Sequence, residues 1–327
     1  MFRLILGVRF AACLGVLTGA LAGCAGLPPS TSPVAPLDKT LLPRSAGSQT
    51  DLLYAGAEKR MFVFTYPGGT LEGTFSTPYS IQAMCSDAKG DVFVTAMTRG
   101  KAGADIGYIY EYAHGGKSPV TTLDVPSNEI PVNCSSDATT GNLAVTSYDT
   151  RNYAPLVEIY TGGSGSPKLF HSDELGANPQ PAYDASGNLF AISGGNVAAL
   201  LPKGKQSFEK ITLNETIGNV AHAQWDGKYF ALQSYVPTKY QGEQLHVFYF
   251  RVHIAGSSGT IAGVSRFKLW RQKNAGQSWI QGDTVVATPG GALTPAIQFW
   301  KYPAGGKAFK VLHPSDATKS VTVSLSP

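Results

Sequence analysis

From residue 52 onward the chain alternates short apolar runs of strand length with turns bearing Gly, Asp and Asn. One pattern recurs: an apolar strand, a turn that opens on Asp and contains Gly, then a second apolar strand. Its copies are Cys85-Ser86-Asp87 through Gly90 to Val92-Phe93-Val94-Thr95, Cys134 through Asp137 to Gly141-Asn142-Leu143-Ala144-Val145-Thr146, and Tyr183-Asp184-Ala185-Ser186-Gly187-Asn188-Leu189-Phe190-Ala191. Shortened copies are Trp225-Asp226-Gly227-Lys228-Tyr229-Phe230-Ala231 and Gln281-Gly282-Asp283-Thr284-Val285-Val286-Ala287. An Asp side chain accepts from the backbone two residues on, and Gly supplies positive φ, so each copy predicts a hairpin.

A second pattern lies between these copies: an aromatic strand, a Gly-rich turn and another strand. It is clearest at Met61 to Gly69, Tyr108 to Gly116, Val157 to Gly163 and Ile297 to Gly306, with degenerate copies at Val197 to Gly204 and Leu245 to Gly256. The two patterns together make a four-stranded unit with the length of a propeller repeat. Six copies of the middle strands predict an all-β, six-bladed β-propeller over 51–327. The first unit lacks an inner strand, because the chain enters it at Leu52-Leu53-Tyr54. The spare C-terminal run Val321-Thr322-Val323-Ser324-Leu325 fills that place and closes the ring. Insertions at Met97–Ile106, Tyr148–Pro155 and Tyr235–Gln244 all fall between second and third strands, on one face, where they predict a binding rim.

The first 23 residues read differently. Arg3 and Arg9 flank an apolar stretch, Phe10 to Leu21, that is too short to span a bilayer and suits a signal-peptide core. It ends in Leu21-Ala22-Gly23-Cys24, which resembles the lipobox of bacterial lipoproteins, with the Cys24 thiol as the acylated group. Residues 24–50 are rich in Pro, Ser and Thr without apolar period and predict an extended tether. The expected location is therefore the cell envelope outside the cytoplasm, held to the membrane by lipid. In a two-membrane cell that is the outer membrane or its periplasmic face.

Composition adds little. The formal net charge is +4, two of which are Arg3 and Arg9, and no basic run stands out. That argues against a nucleic-acid partner. An unknown protein or polar ligand remains as the expected partner.

The turn and strand motifs, with runs such as Gly141-Asn142-Leu143-Ala144-Val145-Thr146 and Tyr66-Pro67-Gly68-Gly69, resemble those of NHL and gluconolactonase-like six-bladed propellers, among uncharacterised secreted bacterial members. The resemblance implies the fold and opens a metal-dependent lactonase, hydrolase or lyase as the alternative to a non-catalytic binding module. Members of that family hold a divalent metal in the channel with carboxylates and an Asn. Here the inner strands offer Gln82, Asn133, Gln180, His222 and Gln224, which make a candidate polar-ligand site. Only Glu129 with Asn133 gives a remnant of a metal site, and a hard cation wants more charged oxygen. No catalytic residue and no cofactor are therefore assigned. Gly115-Gly116-Lys117-Ser118 ends like a P-loop but joins strand to strand. Cys85 and Cys134 take equivalent places on consecutive inner strands, and form either a disulfide or two buried small apolar side chains.

Overall fold

The computed structural model describes residues 50–100, 105–234, 245–269, 275–289 and 295–327. The signal segment, Cys24 and the tether to residue 49 lie outside the described residues, as does the predicted insertion at 235–244.

The chain is built of antiparallel hairpins. The first sheet holds β1 (Leu52–Gly56), β2 (Arg60–Thr65) and β3 (Leu71–Ser76). The second is β4 (Ser80–Ser86), β5 (Val92–Arg99), β6 (Asp105–Tyr112) and β7 (Thr121–Leu123). The third is β8 (Glu129–Ser136), β9 (Leu143–Asp149), β10 (Pro155–Tyr160) and β11 (Lys168–Phe170). There follow β12 (Gln180–Tyr183), β13 (Leu189–Ile192), β14 (Gly195–Leu201) and β15 (Glu209–Ile217). Next come β16 (Val220–Trp225), β17 (Phe230–Ser234), β18 (His246–Ala255) and β19 (Ser258–Lys268). The last sheet is β20 (Ala275–Gln281), β21 (Thr284–Pro289), β22 (Ile297–Lys301) and β24 (Lys310–Leu312), while the two-residue β23 (Gly306–Lys307) between them in the chain pairs with β19 instead. The chain ends in β25 (Ser320–Ser324), which pairs antiparallel with β1 and completes the first sheet. Its inward neighbours are β4 on one side and β20 on the other, so the innermost strands run β25, β4, β8, β12, β16, β20 around a closed ring. This is an all-β propeller arrangement.

The turn chemistry explains the hairpins. Asp87, Asp137, Asp184 and Asp226 each accept, through Oδ1, the N–H two residues on, at 2.8–2.9 Å. Gly90 shows why glycine closes the first of these turns: φ is +80°, and a Cβ there would sit 2.2 Å from the Leu325 carbonyl oxygen.

Between successive sheets lie wedges of apolar side chains. Tyr54, Met61 and Met84 pack with Val92 and Tyr112, and Cys85 and Phe93 pack with Leu143 and Tyr160. On the far side Tyr249 and Phe267 meet Val285 and Trp300, and Val286 and Phe299 meet Leu53 and Phe62. Each sheet thus buries both faces, which accounts for apolar runs that do not alternate strictly.

Six separate blades are not what forms. Four four-stranded sheets stand alone, and the strands from β12 to β19 fuse, with β23, into one nine-stranded sheet. The join is a short parallel pairing of Thr212 and Leu213 on β15 with Ser258 and Gly259 on β19. Gly259 allows it, since a Cβ there would lie 2.4 Å from a methyl of Leu213. The predicted insertions are also partly strand. The β5–β6 ladder runs out to the pair Arg99–Asp105, and β9–β10 to Tyr148–Pro155.

Candidate functional site

Side chains of an innermost strand alternate between the two neighbouring sheets rather than between channel and sheet. Met84 packs with Tyr54 and Met61 on one side, whereas its neighbour Cys85 packs with Cys134 and Tyr160 on the other. Four innermost strands also carry a β-bulge near their start. Gln82, Val132 and Ala221 are the extra residues on β4, β8 and β16, and β20 has a bulge between residues 275 and 278. A bulge shifts every later side chain by one place.

Most of the predicted amides therefore serve the scaffold. Gln82 sits in the bulge and donates to the Ser80 carbonyl at 3.4 Å. Asn133 donates to the Pro179 carbonyl at 3.4 Å. Gln180 donates to the Asn178 carbonyl at 3.1 Å, and its Oε1 is buried without a partner. Gln224 pairs with both backbone groups of Ile280, accepting from its N–H at 2.7 Å and donating to its carbonyl at 2.8 Å. A strand edge facing the channel is thereby satisfied by a side chain. Only His222 and Gln224 of the set reach a common cavity.

That cavity, of about 400 Å³, lies where the innermost strands end and turn outward. Its wall includes Ser86, Ser136, Tyr183, His222, Trp225 and Trp279, with Asp87 and Asp184 in the adjoining turns. Five of these side chains have a polar atom shielded from solvent and without a hydrogen-bond partner among the described residues: Ser136 Oγ, Tyr183 OH, His222 Nε2, Trp225 Nε1 and Trp279 Nε1. These five atoms are closed to solvent, and others of the kind lie elsewhere in the ring, Glu129 Oε2, Gln233 Oε1 and Ser320 Oγ among them. Burial pushes the His222 imidazole down to about 4, so it is neutral at physiological pH. No hydrogen bond joins Ser136 to His222, so they do not form a nucleophile–base pair here.

Ser136, Tyr183, Trp225 and Trp279 were not singled out by the sequence. A signal was present: Ser86, Ser136, Tyr183 and Trp225 each stand immediately before the turn Asp of a repeat copy. On β4, β8, β12 and β16 the position that closes the innermost strand lines the cavity.

At the opposite end, Glu129 begins β8 and faces Asp149 across the ladder. Arg151 binds Asp149 through Nε at 2.9 and 3.1 Å and holds that carboxyl down to about 2. The Glu129 carboxyl is pushed up to about 7, chiefly by burial and then by Asp149 and Glu158. Asn133 stands four residues along β8, up to about 13 Å away at strand spacing, so the two do not converge. Among the described residues no group of three or more His, Cys, Asp or Glu is placed to hold a metal. The P-loop-like Gly115–Ser118 segment lies in the connection between β6 and β7, and the Gly115 N–H is taken by the Tyr54 hydroxyl at 2.7 Å. Cys85 and Cys134 are joined as a disulfide, with Cα atoms 5.8 Å apart, tying β4 to β8 beside the cavity.

Solved structures show the same architecture. A chain of the nidogen–laminin complex aligns with a TM-score of 0.61 at 15% identity, over 85% of this chain and 99% of that one. A protein of unknown function from Bacteroides caccae aligns at 0.58 and 8% identity, over 84% and 98%. The β-propeller domain of Cps50 (Swd1) from Myceliophteria thermophila aligns at 0.50 and 9% identity, over 83% and 84%. No family model matches the chain, and no curated protein matches it. Identities this low establish the class, a β-propeller, and stop there. They do not reach the NHL or gluconolactonase-like family.

Proposed function

We propose that this protein is a lipid-anchored, extracytoplasmic binding module built on a six-bladed propeller, with its ligand seated at the channel mouth. The six-fold reading treats the nine-stranded sheet as two blades fused at their rims. β12–β15 and β16–β19 each run from innermost to outermost strand in chain order, as the separate sheets β4–β7 and β8–β11 do. The anchor reading rests on Leu21-Ala22-Gly23-Cys24 behind a signal-like apolar stretch. Binding rather than catalysis is supported by one observation above the rest: the innermost strands end around a cavity of about 400 Å³ whose wall includes Ser, Tyr, His and Trp side chains, with no hydrogen bond between Ser136 and His222. Propellers present such mouths to partners, and the nidogen–laminin structure includes one within a protein complex.

The test is ligand capture. Full-length mature protein is incubated with cell-envelope extract and its melting temperature followed. A rise that is lost in Trp279→Ala supports the channel mouth. A rise that survives that change moves binding elsewhere. Lactone hydrolysis, or stoichiometric divalent metal lost in both Glu129→Gln and Asn133→Ala, replaces this reading with the gluconolactonase-like one.

A further inference from the structure

The rim turn between β9 and β10 is built around one residue, Asp149. Its Oδ1 accepts the Arg151 N–H at 2.7 Å, its carbonyl accepts the Tyr153 N–H at 2.7 Å, and its carboxylate holds the Arg151 guanidinium. The Thr150 N–H donates to the Asn128 carbonyl at 2.8 Å, which ties the turn to the residue before β8. Two residues of this arrangement have left-handed backbone: Asn128 with φ +70° and Tyr153 with φ +58°. Tyrosine rarely adopts that region, and it persists there only where its surroundings hold it. Tyr153 is 71% exposed, and its ring stacks on Tyr148 at 5.8 Å.

Beneath the turn the charges do not balance. Glu129 is buried and stands opposite Asp149 across the ladder, and its Oε2 is closed to solvent without a hydrogen-bond partner. Glu158 on β10 is buried too, with the Ser147 and Tyr160 hydroxyls at 2.5 and 2.6 Å from its two oxygens. Three carboxyl groups thus share the Arg151 guanidinium, and Asp149 holds it. The other strands packed on β8 bring no relief. β4 and β12 carry no charged side chain. β6 lays Gly107 against the Glu129 carbonyl oxygen, and Asp105 at its start, opposite Arg99 at the end of β5, acts on Tyr148. Burial, then Asp149 and Glu158, push the Glu129 carboxyl up to about 7 against the smaller opposing pull of Arg151. Ionising Glu129 in place would set two carboxylates against each other across one step of the ladder. Opening the turn instead carries Arg151 outward and lets water reach Glu129.

We infer that the β9–β10 turn is a pH-operated latch on the propeller rim: a proton on Glu129 keeps it closed, and loss of that proton releases Thr150–Ala154 together with the Tyr153 ring. The latch does not depend on what the channel mouth binds. Its direction follows from proton balance. The closed turn keeps a proton that the open turn, with Glu129 in water near its ordinary 4.5, has given up. Opening therefore becomes easier by about tenfold for each pH unit between 4.5 and 7, and no easier above 7.

The test is hydrogen–deuterium exchange of full-length mature protein from pH 5 to 8.5, with each rate divided by the intrinsic chemical rate at that pH. The Thr150 and Tyr153 amides should lose protection by about tenfold per pH unit up to neutrality and then level off. The Ser186 and Asn188 amides, held by Asp184 in a turn at the other end of the ring, should not follow. Glu129→Gln should make the rim profile flat while its circular-dichroism spectrum matches the wild type. A flat rim profile in the wild type overturns the inference, and so does a slope retained in Glu129→Gln. Should that variant not fold, the wild-type profile alone decides. A loss of protection shared by the Asp184 turn, or one that runs on past pH 8 without levelling, has a source other than Glu129 and overturns the inference as well.

Discussion

The side-chain amide of Gln277 pairs with both backbone groups of Met84, accepting from its N–H at 3.0 Å and donating to its carbonyl at 2.6 Å. The two residues lie on β20 and β4, which flank β25 in the ring. The Gln277 amide thus acts as a one-residue strand, capping an edge that no backbone reaches. Gln224 does the same for Ile280. Replacing Gln277 by Leu keeps the volume but strands the Met84 N–H and carbonyl in a buried setting. Each unsatisfied group costs about 1–3 kcal/mol. Thermal unfolding of Gln277→Leu should therefore shift clearly downward, whereas Glu72→Gln on the exposed strand β3 should leave the midpoint within experimental error.

The Cys85–Cys134 bond closes a span of 49 residues and links two neighbouring sheets. A crosslink over such a span stabilises by about 2–4 kcal/mol, mostly by restricting the unfolded chain. Cys85→Ala/Cys134→Ala, or reductant on the wild type, should lower the melting temperature by the same amount, because both remove one restraint. Thiol titration under denaturing conditions checks the premise: mature acylated protein should show no free thiol before reduction and two after it.

Closure at the C-terminus is the next point of leverage. Val321 and Val323 are buried against Leu53 and Ala55, and Ser320–Ser324 pairs along all of β1. Burying a Val side chain contributes about 1.5–3 kcal/mol, and the total stability of a domain is about 5–15 kcal/mol. Deleting Ser320–Pro327 removes both valines, opens the edge of β1 and interrupts the ring. The truncated chain should lose its cooperative transition in circular dichroism. A truncation that melts like the wild type would show that the ring is held by something else.

Much of this closure was legible in the sequence, and the reasons are local. Asp87, Asp137, Asp184 and Asp226 make the turns their spacing predicts, and the spare strand at Val321 has one vacant place to go. What was not legible is what single residues do to register. Nothing in composition marks Gln82, Val132 or Ala221 as a bulge, yet each shifts the rest of its strand. Gln82 and Asn133 consequently meet backbone carbonyls away from the cavity that His222 and Gln224 line, and Gln180, at the start of the unbulged β12, meets the Asn178 carbonyl. The fused sheet has the same origin. Gly259 looks like any turn glycine, and only the fold reveals that Leu213 needs its space.

Anchoring is tested at the other end of the chain. Cys24→Ser removes the thiol that acylation requires, and should leave an uncleaved precursor that takes up no radiolabelled palmitate. Cys13, inside the apolar stretch, should be dispensable. Label retained in Cys24→Ser would defeat the lipoprotein reading without touching the propeller.

The last prediction concerns pH, where two buried groups oppose each other. Glu129 is raised in the folded state from an ordinary value of 4.5 to about 7, by burial first and by Asp149 and Glu158 next. Between those values the folded chain holds a proton that the unfolded chain has lost, so this group makes stability fall as pH rises from about 4.5 to 7. His222 is lowered from 6.5 to about 4 by burial. Between those values the unfolded chain holds the extra proton, so this group makes stability rise with pH over nearly the same window. In the wild type the two slopes partly cancel, and the melting temperature should vary little between pH 4.5 and 6.5. Single substitutions separate them. Glu129→Gln removes one falling slope, although Glu158, whose carboxyl burial also raises, keeps its own, so this variant should gain more stability or lose less than the wild type as pH rises from 4.5 to 6.5. His222→Gln should leave the Glu129 slope, giving one that loses stability from 4.5 to 7. Melting curves of both variants across that range decide the matter: His222→Gln should lose stability with rising pH relative to Glu129→Gln, and equal slopes in the two would mean that neither group changes its titration on folding.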